Sequence, residues 1–308
     1  MFARSLMRWP LLALAAMAGT LHGAEAQVAV AANFAEPIKA VAAVLEKTTG
    51  HTLQITVGAT GRLYAQIKNG APFDVLLSAD TRAPAQLETD GLAQPGSRFT
   101  YATGKLVLWS ADAAKVDGQG AVLKTGGFRK LAIANPKTAP YGAAAVQVLN
   151  RLGLTNALTP KLVQGESIGQ TFNFVKTGNA DVGFVAMAQV LEGGRLKEGS
   201  MWVIPKAHYQ PIRQDAVLLK RGADNAAAQA LIKLLQSPDI QDLIRRALAD
   251  ELLFGRLTEG GRLTVDIEVK TDDKGVETSE VLLDIQPLAK KERSAKSEPA
   301  EPEEATAD

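Results

Sequence analysis

Over the first 255 residues the apolar positions switch repeatedly between period two and period 3.6. Gln27 to Ala32 is a short apolar run of strand type. Between Phe34 and Thr49 the residues Ile38, Val41, Ala42 and Leu45 recur at helical spacing, and Gly50 stops the pattern. Leu53 to Val57 predicts a second strand, Leu63 to Asn69 a short helix stopped by Gly70, Phe73 to Leu77 a buried strand, and Thr81 to Asp90 a helix closed by Gly91. Further strands are predicted at Lys105 to Trp109, Leu131 to Ala134, Leu162 to Gln164, Val182 to Ala186 and Trp202 to Ile204, with helices over 141–152 and 167–177. Strand–helix alternation of this kind implies parallel sheets covered on both faces. About ten strands are many for one open sheet and comfortable for two. The economical reading is α/β, with two lobes and a cleft between them.

Four strand-to-helix turns combine small or amide-bearing residues with a helix start. They are Ala31 to Phe34, Gly58 to Leu63, Asn135 to Gly142, and Gly165 to Gly169. Each alone reads as helix capping, because Asn, Thr and Ser are preferred N-caps. Together they imply more. Helix starts carry free N–H donors and a partial positive charge, so several aimed at one cleft could surround an oxyanion without a charged side chain. Ligands in open α/β sheets sit at such strand ends.

Charge and composition refine this picture. The chain has 308 residues and a formal net charge of +1, with no strong pull toward nucleic acid or a membrane surface. From Arg256 onward eight basic residues face fourteen acidic ones; with +1 on the first 26 residues, that leaves +6 on residues 27–255. A mildly basic body suits an anion collector. There are no cysteines, which excludes disulfides, thiolate metal sites and Cys nucleophiles. His22, His51 and His208 lack metal-ligand spacing. Arg4 and Arg8, the apolar run from Leu11 to Leu21 and the small-x-small Ala24-Glu25-Ala26 predict a secretory signal peptide, residues 1–26, cleaved after Ala26. The run is too short for a bilayer span, and no Cys at the cleavage point offers a lipid anchor.

At this point the residues resemble a known family. Val30-Ala31-Ala32-Asn33-Phe34, Gly58-Ala59-Thr60-Gly61-Arg62-Leu63, the stretch from Gly70 to Asp80, Asn135 to Gly142 and Gly178 to Ala186 are similar, in order and spacing, to the periplasmic molybdate-binding proteins of ABC transporters. The resemblance spans about residues 27–245. It implies a type II periplasmic-binding-protein fold with an interlobe anion cleft. One lobe would take residues 27–102 with 211–250, and the other 103–210. The resemblance also implies no catalysis and no cofactor, with molybdate or tungstate as the ligand and molybdenum present only within that oxyanion. Its expected partner is the membrane permease of an importer; the protein itself would be a periplasmic monomer that binds no nucleic acid and is not embedded in the membrane.

By the same resemblance Asn33 corresponds to a side-chain and backbone donor, Thr60 to a hydroxyl donor, and Tyr141 and Ile168 to backbone N–H donors. Ala32 sits where some members carry a hydroxyl, so its contact would be backbone only. Some relatives contribute a Tyr hydroxyl from the segment matching Phe184 to Met187, where this chain has none. Arg62 is expected to face solvent, and Lys137 to steer anions without touching them. A receptor for another oxyanion such as sulfate is the alternative. A periplasmic hydrolase is a weaker one, because no nucleophile–base pair lies at the turns.

The C-terminal segment departs from this pattern. Ala247 to Leu257 with Gly260 to Val265 resembles the C-terminal end of a Clp-family AAA+ unfoldase subunit, without either Walker motif, so no ATPase activity carries over. Leu263, Val265, Ile267 and Val269, and then Val281, Leu283 and Ile285, alternate with polar residues across a turn at Asp272 to Gly275. An appended hairpin within 251–287 and a disordered tail over 288–308 are therefore expected. The segment lacks a core of its own, which favours a fusion without a selected role.

Overall fold

The computed structural model describes residues 23–192, 195–247, 261–271 and 277–287. The expected signal segment through residue 22, the hairpin turn at 272–275 and the tail from 288 lie outside the described residues.

Strand β1 (Glu25–Ala31) leads through a 3-10 turn, Ala32–Phe34, to helix α1 (Pro37–Thr49), β2 (Thr52–Gly58) and α2 (Thr60–Lys68). Then come β3 (Val75–Leu77), α3 (Arg82–Thr89), β4 (Phe99–Gly104) and β5 (Leu106–Ser110). The middle of the chain forms α4 (Ala121–Thr125), β6 (Leu131–Ala134), α5 (Pro140–Arg151), α6 (Thr155–Leu158), β7 (Leu162–Gly165), α7 (Ile168–Lys176) and β8 (Val182–Ala186). Helix α8 (Met187–Val190) and the short strands β9 (Leu191–Glu192) and β10 (Arg195–Leu196) follow, with β11 (Ser200–Val203) and β12 (Ile212–Leu218). Helices α9 (Ala226–Gln236) and α10 (Pro238–Ala247), and the pair β13 (Gly261–Thr271) and β14 (Glu277–Pro287), complete the order.

Two five-stranded sheets result, ordered β2-β1-β3-β12-β4 and β11-β5-β8-β6-β7. The chain leaves the first sheet for the second between Gly104 and Leu106 and returns between Val203 and Ile212. Both sheets are mixed rather than parallel. β12 runs antiparallel to β3 and β4, and β5 antiparallel to β8 and β11. The reason is the crossing itself: strands that carry the chain between lobes arrive without a covering crossover helix, and only such helices bring the chain back parallel.

Strand β1 shows how the apolar run becomes a two-faced core. Val28 and Val30 pack with Ile38, Val41 and Leu45 of α1 and with α9, whereas Ala29 packs on the opposite face with Leu63 and Ile67 of α2. A strand buried on both faces needs no polar alternation. Helix α1 ends at Gly50, whose φ of 70° is left-handed and whose N–H bonds Glu46 O at 2.8 Å. Glycine fits this cap because it has no Cβ to clash. The helix expected from Phe34 starts instead at Pro37; the preceding 3-10 turn buries Asn33 and Phe34. β13 and β14 pair in register, Leu263 with Ile285, Val265 with Leu283 and Ile267 with Val281.

Phe34 is fully buried and meets the Tyr101 ring edge-on at 4.9 Å. Phe34→Ala is expected to destabilise the protein by ~3–5 kcal/mol, read by urea unfolding; a change below about 1 kcal/mol would contradict this packing.

Candidate functional site

The four turns picked out in the sequence meet at one cavity. Its walls are Ala31, Ala32 and Asn33 from the first turn, Gly58, Ala59 and Thr60 from the second, Ala139, Pro140 and Tyr141 from the third, and Ile168 from the fourth, with Ala79 beside them. The cavity is ≈ 10 Å³ as traced by the centre of a water-sized sphere, about what one water needs. None of these residues carries a charge. Asn33, Thr60, Tyr141 and Ile168, drawn from both lobes, are each at most 4% exposed.

Capping does not explain these turns. The N-caps of α2 and α5 are Ala59 and Ala139, and Ala31 precedes the 3-10 turn; none supplies a side-chain acceptor. Only Ser167, at the start of α7, caps in the usual way, accepting from the Gln170 N–H at 3.2 Å. The first N–H groups of a helix find no partner inside it. Alanine caps add no side-chain acceptor there and keep the walls thin enough for the lobes to touch; the Gly61 N–H goes to Thr138 O, the Arg62 N–H to Ala59 O and the Gly142 N–H to Ala139 O.

The polar side chains are held from behind. Thr60 Oγ1 accepts the Ala79 N–H at 2.9 Å, which leaves its own proton to donate elsewhere. Asn33 Nδ2 donates to Gln214 Oε1 at 2.8 Å, while Asn33 Oδ1 is buried without a partner. Gln214, fully buried on β12, also contacts the Tyr141 hydroxyl at 3.2 Å and the Tyr101 hydroxyl at 3.1 Å. Burial holds the Tyr101 hydroxyl well above the ordinary tyrosine pKa, so it stays protonated and donates to Ser78 O at 3.0 Å.

The lobes touch around this cavity. The Gly61 N–H donates to Thr138 O at 2.8 Å, and a Cβ at Gly61 would lie 3.0 Å from Thr138 Cα. Arg62 faces water, as expected, with its side chain 59% exposed. It also pairs with Glu166 of the other lobe at 2.7 Å, a contact not read from the sequence. Lys137 lines a wider groove of ≈ 820 Å³ beside the cavity, together with Arg82 and Arg213. Phe184 is fully buried within the second lobe and is no part of the cavity wall.

The structure brings Ala32, Asn33, Thr60, Tyr141 and Ile168 together at one cavity, and behind it stand Gln214 and Tyr101, which were not read from the sequence. The signal was the polar run Arg213-Gln214-Asp215 in strand β12, of which Gln214 and Asp215 are buried. There the register slips and leaves Tyr101 between the pairs Gln214–Ala102 and Asp215–Thr100. Bulges of this kind re-aim side chains. Among the described residues no cluster of His, Asp or Glu could hold a metal ion, and no helix is long and apolar enough to cross a membrane.

Two α/β lobes joined by strand crossings, with a donor-lined cavity between them, define a solute-binding protein, and residues 26–247 match the family model described as bacterial extracellular solute-binding protein. The chain is 57% identical over 229 residues to the molybdate-binding protein ModA of Azotobacter vinelandii, covering 74% of this chain and 91% of that one. It is 53% identical over 250 residues to ModA of Rhodobacter capsulatus, covering 80% and 92%. The solved structure of the Azotobacter vinelandii periplasmic molybdate-binding protein superposes with a TM-score of 0.70 at 44% identity, covering 72% of this chain and 97% of that chain. This chain belongs to the ModA family, whose members are solute-binding proteins and not enzymes.

Gly61→Ala is expected to hold the lobes apart, because the new methyl meets backbone rather than a movable side-chain tip. Small-angle scattering should report a larger radius of gyration than for the parent chain; an identical profile would show that closure tolerates the methyl.

Proposed function

We propose that this protein captures molybdate, and its mimic tungstate, in the interlobe cavity and delivers it to the permease of an ABC importer. The observation that carries this is a charge-free cavity between the lobes where four chain turns present small residues and neutral donors. Such a donor set suits a tetrahedral dianion, and the water-sized cavity must widen by a parting of the lobes to admit it. It accepts at every oxygen, and helix starts offer N–H groups with a favourable dipole. A buried cation would instead carry its own desolvation cost and hold the ion against release. Asn33 and Thr60 donate from their side chains, Ala32 from its backbone, and Tyr141 and Ile168 from backbone N–H groups at helix starts. Arg82, Lys137 and Arg213 draw anions toward the cleft. Because both lobes wall the cavity, capture and release follow hinge motion at the two crossings.

The relatives support this reading, since those at 57% and 53% identity are named for molybdate. Export by the signal segment and action as a periplasmic monomer belong to the same proposal, whereas cleavage after Ala26 would strip Glu25 and the fully buried Ala26 from β1. Sulfate shares the charge and shape of molybdate and differs in size, so it is the competing ligand to test.

Isothermal titration of the chain should show molybdate and tungstate binding far more tightly than sulfate, with phosphate failing to compete. Preference for sulfate, or no binding, would overturn the reading. Asn33→Ala and Thr60→Ala should each weaken molybdate binding by ~1–3 kcal/mol, the cost of one lost polar contact. Removal of residues 256–308 should leave the affinity unchanged, because the family match ends at residue 247; a large loss would make the C-terminal hairpin part of the binding fold.

A further inference from the structure

The orphaned Asn33 oxygen is the one feature of the cavity that opposes an anion. Asn33 is 2% exposed, lines the cavity, and has one amide atom on Gln214 and the other on nothing. Left so, an acceptor without a donor sits where the anion's own oxygens would come. Proton counting around Gln214 points to a better arrangement of the same atoms. Tyr101 has one hydroxyl proton and two oxygens in reach, Ser78 O at 3.0 Å and Gln214 Oε1 at 3.1 Å. It can donate to only one of them; when it serves Ser78 O, the Tyr101 and Gln214 oxygens face each other at 3.1 Å with no proton between them.

Turning both amides by half a turn keeps every heavy atom in place and resolves each conflict. Gln214 Nε2 then has two protons for two acceptors, Asn33 Oδ1 and the Tyr101 hydroxyl oxygen. Gln214 Oε1 accepts the Tyr141 hydroxyl proton, and Tyr101 keeps Ser78 O. Asn33 Nδ2, with its protons uncommitted, takes the place of the orphaned oxygen. Gly104 leaves the space this network needs: a Cβ there would lie 2.1 Å from the Tyr141 hydroxyl and 2.7 Å from Gln214 Nε2.

We propose that Gln214 is a positioning and specificity residue: through Tyr101 and Tyr141 it fixes the Asn33 amide so that the NH2 group, not the oxygen, faces the cavity. The cavity then offers donors alone. A fully deprotonated dianion satisfies it at every contact, and a protonated anion such as hydrogen phosphate brings a proton with no acceptor to receive it. The inference rests on the oxyanion reading above and deepens it. Gln214 touches no ligand; it acts through Asn33.

The test is a double-mutant cycle with molybdate as the titrant. Gln214→Met keeps the length of the side chain and removes its hydrogen bonds. It should weaken molybdate binding roughly tenfold in the parent chain and hardly at all in an Asn33→Ala background, because the two act as a unit. A purely structural role would cost the same factor in both backgrounds, and that result, or parent-like affinity in Gln214→Met, overturns the proposal. Should Gln214→Met not fold, the nitrogen-15 side-chain amide signal of Asn33 in the parent chain decides. It should shift and exchange more slowly when molybdate is added. Molybdate binding with an unmoved Asn33 signal overturns the positioning role alone; no molybdate binding by the parent chain overturns the oxyanion reading as well.

Discussion

The first turn of a helix leaves backbone N–H groups that the helix cannot satisfy, and much of this molecule is arranged around where those groups point. At α7 and α9 a side-chain oxygen, of Ser167 and of Asn225, folds back and ends the matter. Here Ala31, Ala59 and Ala139 stand at the cap positions of three turns that share one cavity, and an alanine cannot do so. The walls stay thin, and the lobes come close enough for the Gly61 N–H to reach Thr138 O. The same small residues therefore set both the chemistry of the site and the geometry of closure.

Neutral donors need rigid backing, because a dipole that can swing away binds nothing in particular. Thr60 is fixed by Ala79, and Asn33 by a buried set of Gln214, Tyr101 and Tyr141 that ties the first lobe to the start of α5 in the second. Phe34, next to Asn33, is locked against Tyr101. Core packing and site geometry are thus one construction: the residue that anchors the 3-10 turn in the core abuts the tyrosine that steadies the amide. The charged groups lie farther out. Arg62 and Glu166 bridge the lobes in water, where such a pair contributes only about 0.2–1 kcal/mol, and Arg82, Lys137 and Arg213 line the wider groove.

Much of this was legible in the sequence, because local rules and the global fold agree. Apolar periodicity located α1, and Gly50 located its end. The four turns were recognisable by their small and amide residues. What failed did so for physical reasons. The helix start was placed at Phe34 because apolar spacing cannot distinguish a 3-10 turn from the first turn of an α-helix. Both sheets were expected to be parallel because alternation along the chain says nothing about strands that return without a helix. Ala59 and Ala139 were not recognised as caps because alanine carries no capping signal. Gln214 went unread because its meaning depends on partners 73, 113 and 181 residues away.

The central claim is that uncharged donors, not the nearby cations, hold the ion. Anomalous scattering from molybdenum in crystals grown with molybdate locates the ion directly. The account predicts one strong site enclosed by Asn33, Thr60, Tyr141 and Ile168, with the oxygens within hydrogen-bond reach of their N–H and hydroxyl groups. Molybdenum found instead in the groove against Arg82, Lys137 and Arg213, with the cavity unfilled, would contradict it.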